Sequence, residues 1–158
     1  MSFTRDKGSA PRQQVELVPI VGRFEGGRAQ VLRRLERGEA LAADEVLLFR
    51  FRLQQPAFVY LLAQADLSPS VQVLWEPSAP DAKTAPGEHE LTGQGSVLSL
   101  DPRLLGGHVR ILLLTAPTLM AKERLEQLGD LDNREAILSE CSGCNLDLVS
   151  VNAAPTAP

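Results

Sequence analysis

Two cysteines three positions apart carry the most recognisable chemistry in this chain. Cys141-Ser142-Gly143-Cys144 is a CxxC motif, which serves in proteins as a redox dithiol, as half of a zinc site or as a small structural disulfide. A redox dithiol needs its first thiol at a helix N-terminus, where the positive end of the helix dipole stabilises the thiolate. This pair instead follows a predicted helix. We therefore predict a structural disulfide or two idle thiols, with redox function and metal binding as the alternatives.

The histidines and the clustered carboxylates lack the partners that catalysis or metal binding requires. Beyond the cysteines, a zinc site could draw only on His89 and His108, and neither has ligand spacing. A general base also needs a nucleophile and an orienting carboxylate, and no pattern links such groups to either histidine. Asp130 and Asp132 lack the spacing of a calcium-binding loop. The sequence therefore predicts no catalytic residue, no bound metal and no cofactor.

Arginines and one tryptophan are the best candidates for contacting a partner. The most basic stretch contains Arg28, Arg33, Arg34 and Arg37, and such a cluster is either a solvated face or a contact for an acidic partner. Trp75 stands at the end of a predicted strand, where it is either a core residue or a half-exposed binding anchor. We take Trp75, Arg33, Arg34 and Arg37 as the candidate binding residues.

Composition and charge narrow the class of protein. The 158 residues are 44% hydrophobic and 23% charged, a mixture typical of one globular domain with its own core. The net charge is −4 and the pI is about 5.2. This acidic balance predicts that nucleic acid is not the partner, because phosphate binding needs a basic surface. No apolar run approaches the roughly 20 residues of a membrane helix, so a membrane would be contacted only through an anchor outside this sequence.

The elements that would position these residues are mostly short strands. Residues 45–53 place four apolar side chains on one face and Arg50 and Arg52 on the other, the period-2 pattern of a half-buried strand. Residues 57–63 are apolar on both faces, which predicts a central strand. Residues 71–75 are predicted to complete a three-stranded meander. Upstream, strands at 15–21 and 28–35 are predicted to form a hairpin at the Gly-Gly pair.

The remaining segments complete the predicted fold. Residues 36–44 suit a helical turn or a loop, the proline-rich stretch 76–88 suits a surface loop, and further strands are expected at 89–91, 97–100 and 108–115. Helices are expected from Thr118 to Leu128 and after an Asp132–Glu135 capping box, before a last strand at 145–151. We predict a mainly β protein, an antiparallel β-sandwich of about eight short strands with two short helices near the C-terminus.

The domain boundaries and the core follow from the same pattern. Residues 1–14 read as a flexible lead-in, residues 15–151 as a single β-sandwich domain, and residues 152–158 as an Ala/Pro tail. Apolar strand faces predict that six side chains share one core: Phe49, Phe51, Val59, Leu61, Leu112 and Leu114.

The middle of the chain resembles an uncharacterised bacterial β-sandwich domain family. The matching pieces are a strand at 48–53 followed by residues 56–62 and 71–77, with Phe58 where the family usually has tyrosine. The resemblance spans about residues 30–128 and excludes the CSGC extension, and the proline-rich loop at 76–88 is longer than is usual. Such domains occur in extracytoplasmic segments of anti-sigma-factor-like proteins and beside caspase-like or kinase modules. The family supplies no catalytic residues to carry over.

The resemblance implies a non-enzymatic binding or sensory domain in bacterial envelope signalling, which contacts a protein or an envelope polymer. It also implies a periplasmic or otherwise extracytoplasmic location for a piece excised from a membrane-anchored parent, and a Cys141–Cys144 disulfide suits such a compartment. If Met1 is the native start, a cytoplasmic location is expected. The alternatives are a cytosolic thiol-sensing protein that uses the two cysteines, and a structural subunit that uses an exposed sheet edge.

Overall fold

The computed structural model describes residues 15–153, except for positions 27, 37, 43, 66–69, 94–95, 98 and 101–106. The predicted lead-in and the tail from residue 154 onward lie outside the described residues. The first described strand begins at Val15, and the last runs to Ala153. The last strand is therefore two residues longer than predicted.

The first sheet is built around a long strand that carries apolar residues on both faces. This strand, β1 (Val15–Glu25), pairs antiparallel with β2 (Arg28–Arg34) on one side and with β4 (Val46–Leu53) on the other. The far edge of β4 pairs with β7 (Gly87–Glu90) and with β10 (Ser99–Leu100). The predicted β1–β2 hairpin is confirmed, and at its turn the φ angle is 59° at Gly26, a value that glycine adopts without steric cost.

The second sheet has β11 (His108–Ala116) at its centre. Its strand order is β3 (Ala40–Leu41), β12 (Asn145–Ala153), β11, β5 (Phe58–Ala65) and β6 (Gln72–Trp75). All neighbours are antiparallel except β3, which pairs in parallel with the end of β12. The region 36–44, expected as a helical turn or a loop, therefore contributes a strand.

The predicted antiparallel β-sandwich with two short helices is confirmed. The described residues form twelve strands rather than about eight, because four of the twelve are only two residues long: β3, β10 and the paired strands β8 (Thr92–Gly93) and β9 (Ser96–Val97). Strands this short leave too few residues for a period-2 pattern to register in a sequence.

The predicted meander is wrong at its first step. β5 and β6 do pair, but β4 belongs to the first sheet. The physical reason lies in the faces of the two strands. β4 exposes Arg50 and Arg52 to solvent, whereas every residue of β5 is buried. A strand with one solvent-exposed face and a strand covered on both faces belong to different layers. The chain therefore crosses between the sheets at Gln54, Gln55 and Pro56.

The main core lies between the two sheets. Strand β4 contributes four alternating side chains to this core, each at most 3% exposed: Leu47, Phe49, Phe51 and Leu53. They pack against alternate residues of β5 and β11, including Val59, Leu61 and Ile111. The period-2 pattern of residues 45–53 therefore predicted the inward face correctly.

A second core lies on the other side of the second sheet. The helices α1 (Lys122–Glu126) and α2 (Arg134–Ser139) cover this face, and Leu112 and Leu114 pack there with Leu125 and Ile137. The prediction that Leu112 and Leu114 share one core with the phenylalanines of β4 is therefore wrong. Both leucines are buried, but they point to the helical layer. No helix among the described residues is long and apolar enough to cross a lipid bilayer.

Both helices begin later than predicted. The Met120 N–H donates to the Tyr60 hydroxyl at 2.7 Å, and Ala121 is extended, so α1 starts at Lys122 instead of after Thr118. The cap of α2 is Asn133, whose side chain accepts a hydrogen bond from the N–H of Ala136. Asp132, predicted for that role, instead pairs with Arg110 at 2.7 Å.

The connection between the helices is fixed to the sheet by one buried amide. Gln64 of β5 donates to the carbonyl of Gly129 at 2.8 Å and accepts from the N–H of Leu131 at 3.0 Å. Gln64 is 2% exposed. Since backbone groups in a loop over a sheet have no ladder partner, this side chain supplies the hydrogen bonds that burial requires.

Candidate functional site

Exposed apolar side chains concentrate on the β1–β2 hairpin. Among the described residues, the exposed large hydrophobic side chains are Phe24 (52%), Val31 (52%), Leu32 (39%) and Leu119 (48%). Three of these four lie on the hairpin. A cluster of this kind on a soluble domain is typical of a contact surface.

The hairpin also carries an open sheet edge. β2 ends the strand order of the first sheet, and no described strand pairs with its outer side. Its register slips between Val21 and Gly22, where a bulge gives β2 an extra residue. A Cβ on Gly22 would stand 2.6 Å from a methyl carbon of Leu48, so β1 and the Leu48 side chain approach closely beside the bulge. Bulges twist an edge and re-aim its side chains.

The outer face of the first sheet contains a hollow next to this edge. The hollow has a volume of about 340 Å³, with Val18, Ile20 and Val31 among its apolar residues and Arg34, Arg50 and Arg52 among its charged ones. The cross-strand register explains the grouping, because Arg34 and Ile20 are partners, as are Arg50 and Val18. The structure thus brings two predicted binding residues, Arg33 and Arg34, together with the two arginines of β4.

Carboxylates partly neutralise these arginines. Glu16 lies 3.1 Å from Arg52 and 3.6 Å from Arg34, and Glu90 lies 3.1 Å from Arg50. All five side chains are more than a third exposed, and ion pairs of that kind contribute little to stability. An arginine on this face therefore loses little free energy when it leaves its intramolecular carboxylate to pair with a carboxylate of a partner.

Arg33 has a structural role instead. Its guanidinium donates to Glu39 at 2.9 Å and to Glu45 at 2.8 Å, and Glu45 is 4% exposed. The hydrogen bond from Arg33 is the main cause that lowers the pKa of Glu45, and the Ala42 N–H adds to it. The same carboxylates raise the pKa of Arg33. Arg37, the remaining arginine among the candidate binding residues, lies outside the described residues.

The Arg33–Glu45 pair predicts an acid-dependent loss of stability. Because the pKa of Glu45 is lowered by folding, its carboxylate stabilises the protein above the unfolded pKa, near 4.3, and this contribution disappears as the pH falls through the folded value. We expect the stability difference between wild type and Glu45→Gln, measured by urea unfolding, to shrink from pH 6 to pH 3.

Asp147 provides a control of opposite sign. Desolvation is the main cause that raises its pKa, so its contribution is largest below the unfolded value and is lost as the pH rises. The Asp147→Asn difference should therefore change in the reverse direction. A Glu45→Gln difference that does not vary with pH would contradict the assignment.

Asp147 also makes a second large depression on the surface unsuitable for binding a strand. A cleft of about 870 Å³ lies between β1 and β12. Within it, the Asp147 carboxylate accepts the N–H of Leu17 at 2.7 Å. This contact joins the first sheet to the second and restricts the space for an added strand. The cleft is therefore a weaker candidate than the hairpin.

Trp75 lies away from the hairpin. It ends β6, an edge strand of the second sheet, is partly buried against the core between the sheets, and pairs with Leu61. The sequence left two roles open for Trp75, a core residue or a binding anchor. Its packing favours the core.

The cysteines are placed as a disulfide. Cys141 and Cys144 lie within disulfide distance of each other, with their Cα atoms 5.5 Å apart. They follow α2 and belong to the second core, where the sulfur of Cys141 contacts that of Met120 at 3.5 Å. Each cysteine residue is less than a tenth exposed. The arrangement suits a structural role, because a reactive thiol needs access to solvent and an electropositive surrounding.

The other polar residues have structural partners. His89 stacks on Phe51, with ring centroids 5.2 Å apart, and its Nε2 lies 2.7 Å from the Ala85 carbonyl. Asp130 and Asp132 lie beside the guanidinium of Arg110 rather than around an open site. Within the described part of the chain, no group of three or more His, Cys, Asp or Glu residues could hold a metal ion.

The apolar residues of the hairpin were not predicted from the sequence. The available signal was the pattern of β1, in which Val18, Ile20 and Phe24 share the face opposite the inward-pointing Leu17 and Val21. A strand that is apolar on both faces needs cover on both faces. Ile20 is covered, at 4% exposed, whereas Phe24 is 52% exposed.

No protein-family model, no curated protein and no solved structure matches the chain significantly. The resemblance to a bacterial β-sandwich family therefore stays a prediction.

Proposed function

We propose that this chain is a non-enzymatic protein-binding domain whose contact surface is the hairpin surface, defined by Phe24, Val31, Leu32 and Arg34. The observation that carries the proposal is the coincidence of an open strand edge with three exposed apolar side chains. An open strand edge and an exposed apolar patch each promote aggregation, and natural proteins usually cover or charge them. Their presence together is explained when a partner covers both.

A polypeptide is the favoured partner over an envelope polymer. The outer side of β2 offers backbone donors and acceptors at the regular spacing of a strand, which another polypeptide backbone matches. A sugar polymer would gain little from that spacing.

The domain is further proposed to act in an extracytoplasmic segment of a bacterial envelope signalling protein, as the sequence resemblance implies. The paired cysteines support this location, because disulfides persist in oxidising compartments. Cytosolic thiol sensing is disfavoured by the burial of both cysteines against Met120. Free-thiol titration of protein from its native compartment separates the two, since an oxidised pair leaves no reactive thiol.

Selection from a displayed library of random peptides tests the binding function. Wild type is expected to enrich a set of related peptides, and Val31→Lys is expected to lose them because the lysine places a charge on the apolar surface. Leu119→Lys is the matched control, since Leu119 is similarly exposed but lies far from the hairpin in the chain. Equal thermal stability of the three proteins excludes misfolding. No enrichment by wild type, or equal binding by Val31→Lys, would overturn the proposal.

A further inference from the structure

The hairpin surface has features that specify the kind of segment that binds there. We infer that its occupant is an extended, acidic and apolar segment of a partner protein, which adds to β2 as a new strand. This inference rests on the proposed function and names the chemistry of the partner. Its three grounds are the direction of the backbone groups of β2, the charges along that strand, and the position of the apolar side chains.

The backbone of β2 presents free groups to an incoming strand. The N–H of Leu35 donates to the carbonyl of Pro19 at 3.0 Å, so residue 35 faces β1. Backbone groups alternate in direction along an antiparallel strand, and those of Arg34 therefore face away from β1. By the same alternation Gly22 faces β4, so its partner Val31 also directs its groups outward.

The charges of β2 select an acidic segment. The strand carries Arg28, Arg33 and Arg34 and no acidic residue. Glu39 and Glu45 neutralise Arg33, whereas Arg28 forms no ion pair with a described residue and Arg34 shares Glu16 with Arg52. A carboxylate directly opposite Arg34 would form a favourable cross-strand pair.

The same charges disfavour a second copy of this chain. The antiparallel register that pairs all seven residues of β2 with a copy of itself sets Arg28 opposite Arg34 of the copy. Like charges directly opposite each other destabilise a sheet. The arginines therefore protect the edge from self-association while leaving it open to a strand of opposite charge.

The apolar contacts fix where the neutral residues of the segment lie. Val31 and Arg34 lie on either side of the bulge, which contains Leu32 and Arg33, and Phe24 lies on the next strand beside Val31 on the same face. An added strand that places a carboxylate opposite Arg34 would place an apolar side chain over Val31 and towards Phe24. Acidic and apolar residues therefore share the face of the segment that continues the outer face of the sheet.

Synthetic peptides test this inference directly. The probe is an eight-residue peptide with the repeat Glu-Thr-Val-Thr, which places glutamate and valine on the same face of a strand, compared with the same peptide carrying lysine for glutamate. We expect wild type to bind the glutamate peptide at least tenfold more tightly than the lysine peptide. Arg34→Glu should reverse that preference. Arg134→Glu is the matched control, because it makes the same charge change at an exposed arginine of α2, in the helical layer, and its affinity should stay within about twofold of wild type.

N-methylation of the peptide backbone tests strand addition itself. Methyl groups on one set of alternate nitrogens should abolish binding, whereas methyl groups on the other set should leave it, because only every second N–H points to β2. Equal effects of the two sets, no preference for glutamate, or an equal loss in Arg134→Glu would overturn the inference, as would a concentration-dependent dimer that Val31→Lys abolishes. If library peptides bind through Val31 but are basic or insensitive to methylation, the binding function survives and this inference fails.

Discussion

Replacing Phe51 with alanine is expected to lower the free energy of unfolding by about 3–5 kcal/mol, the range for truncating a fully buried phenylalanine. Phe51 is 3% exposed, packs in the core between the sheets and stacks on His89. Alanine would leave a cavity between the two sheets. The neighbouring side chains are fixed by their own strands, so they cannot move in to fill it. Urea or guanidinium unfolding measures the change.

Phe24→Ala is the matched control for this prediction. It makes the same chemical change on the same protein, but Phe24 is 52% exposed, so the loss should stay below about 1 kcal/mol. If the two variants lose similar stability, the assignment of inward and outward faces in the first sheet is wrong.

Gln64→Ala is expected to cost roughly 2–4 kcal/mol, because a buried backbone donor left without an acceptor costs about 1–3 kcal/mol and a second hydrogen bond is lost with it. The groups affected are the N–H of Leu131 and the carbonyl of Gly129. Since these hydrogen bonds fix the loop between the two helices, the loop should also become sensitive to proteolysis before the sheets unfold.

Gln72→Ala provides the comparison, because Gln72 is a neighbouring glutamine on β6 whose side chain is exposed. Its effect should lie within about 0.5 kcal/mol of zero. A Gln64→Ala variant as stable as Gln72→Ala would mean that the loop is held by other contacts.

The sequence predicted well those strands that have one face exposed to solvent. In β4 the alternation of Phe49 and Phe51 with Arg50 and Arg52 set both the strand and its orientation, because water and the core demand opposite chemistry of adjacent residues. In β11 no such contrast exists. Leu112 and Leu113 are equally apolar and equally buried, yet they belong to different cores. The layer that each faces is decided by the helices, which periodicity within the strand does not reveal.

The pairing of strands and the helix boundaries depend on contacts between distant residues. Tyr60 delays the start of α1 through the N–H of Met120, sixty positions away. The parallel pairing of β3 with β12 joins residues more than a hundred positions apart. Local patterns carry no record of such contacts, and for that reason the meander and both helix starts were misplaced.

The candidate site was predictable only in part. The arginine-rich stretch lies on the strand that we propose as the binding edge, but the sequence alone could not separate the structural Arg33 from the more exposed Arg34. That distinction depends on Glu45, which the fold places beside Arg33 in a buried position. The apolar part of the surface was visible in β1 as an excess of hydrophobic residues on the outer face.

Amide hydrogen exchange on the domain, with and without a library-selected peptide, shows which strand contacts the peptide. We expect the outward-facing amides of Val31 and Arg34 to exchange at least tenfold more slowly when the peptide is bound, because they become hydrogen-bonded to the added strand. The amide of Arg33, which faces β1, and those of β6 should change little. Protection confined to β6 or to the helical layer, with Val31 and Arg34 unchanged, would contradict the assignment of the hairpin surface as the binding site.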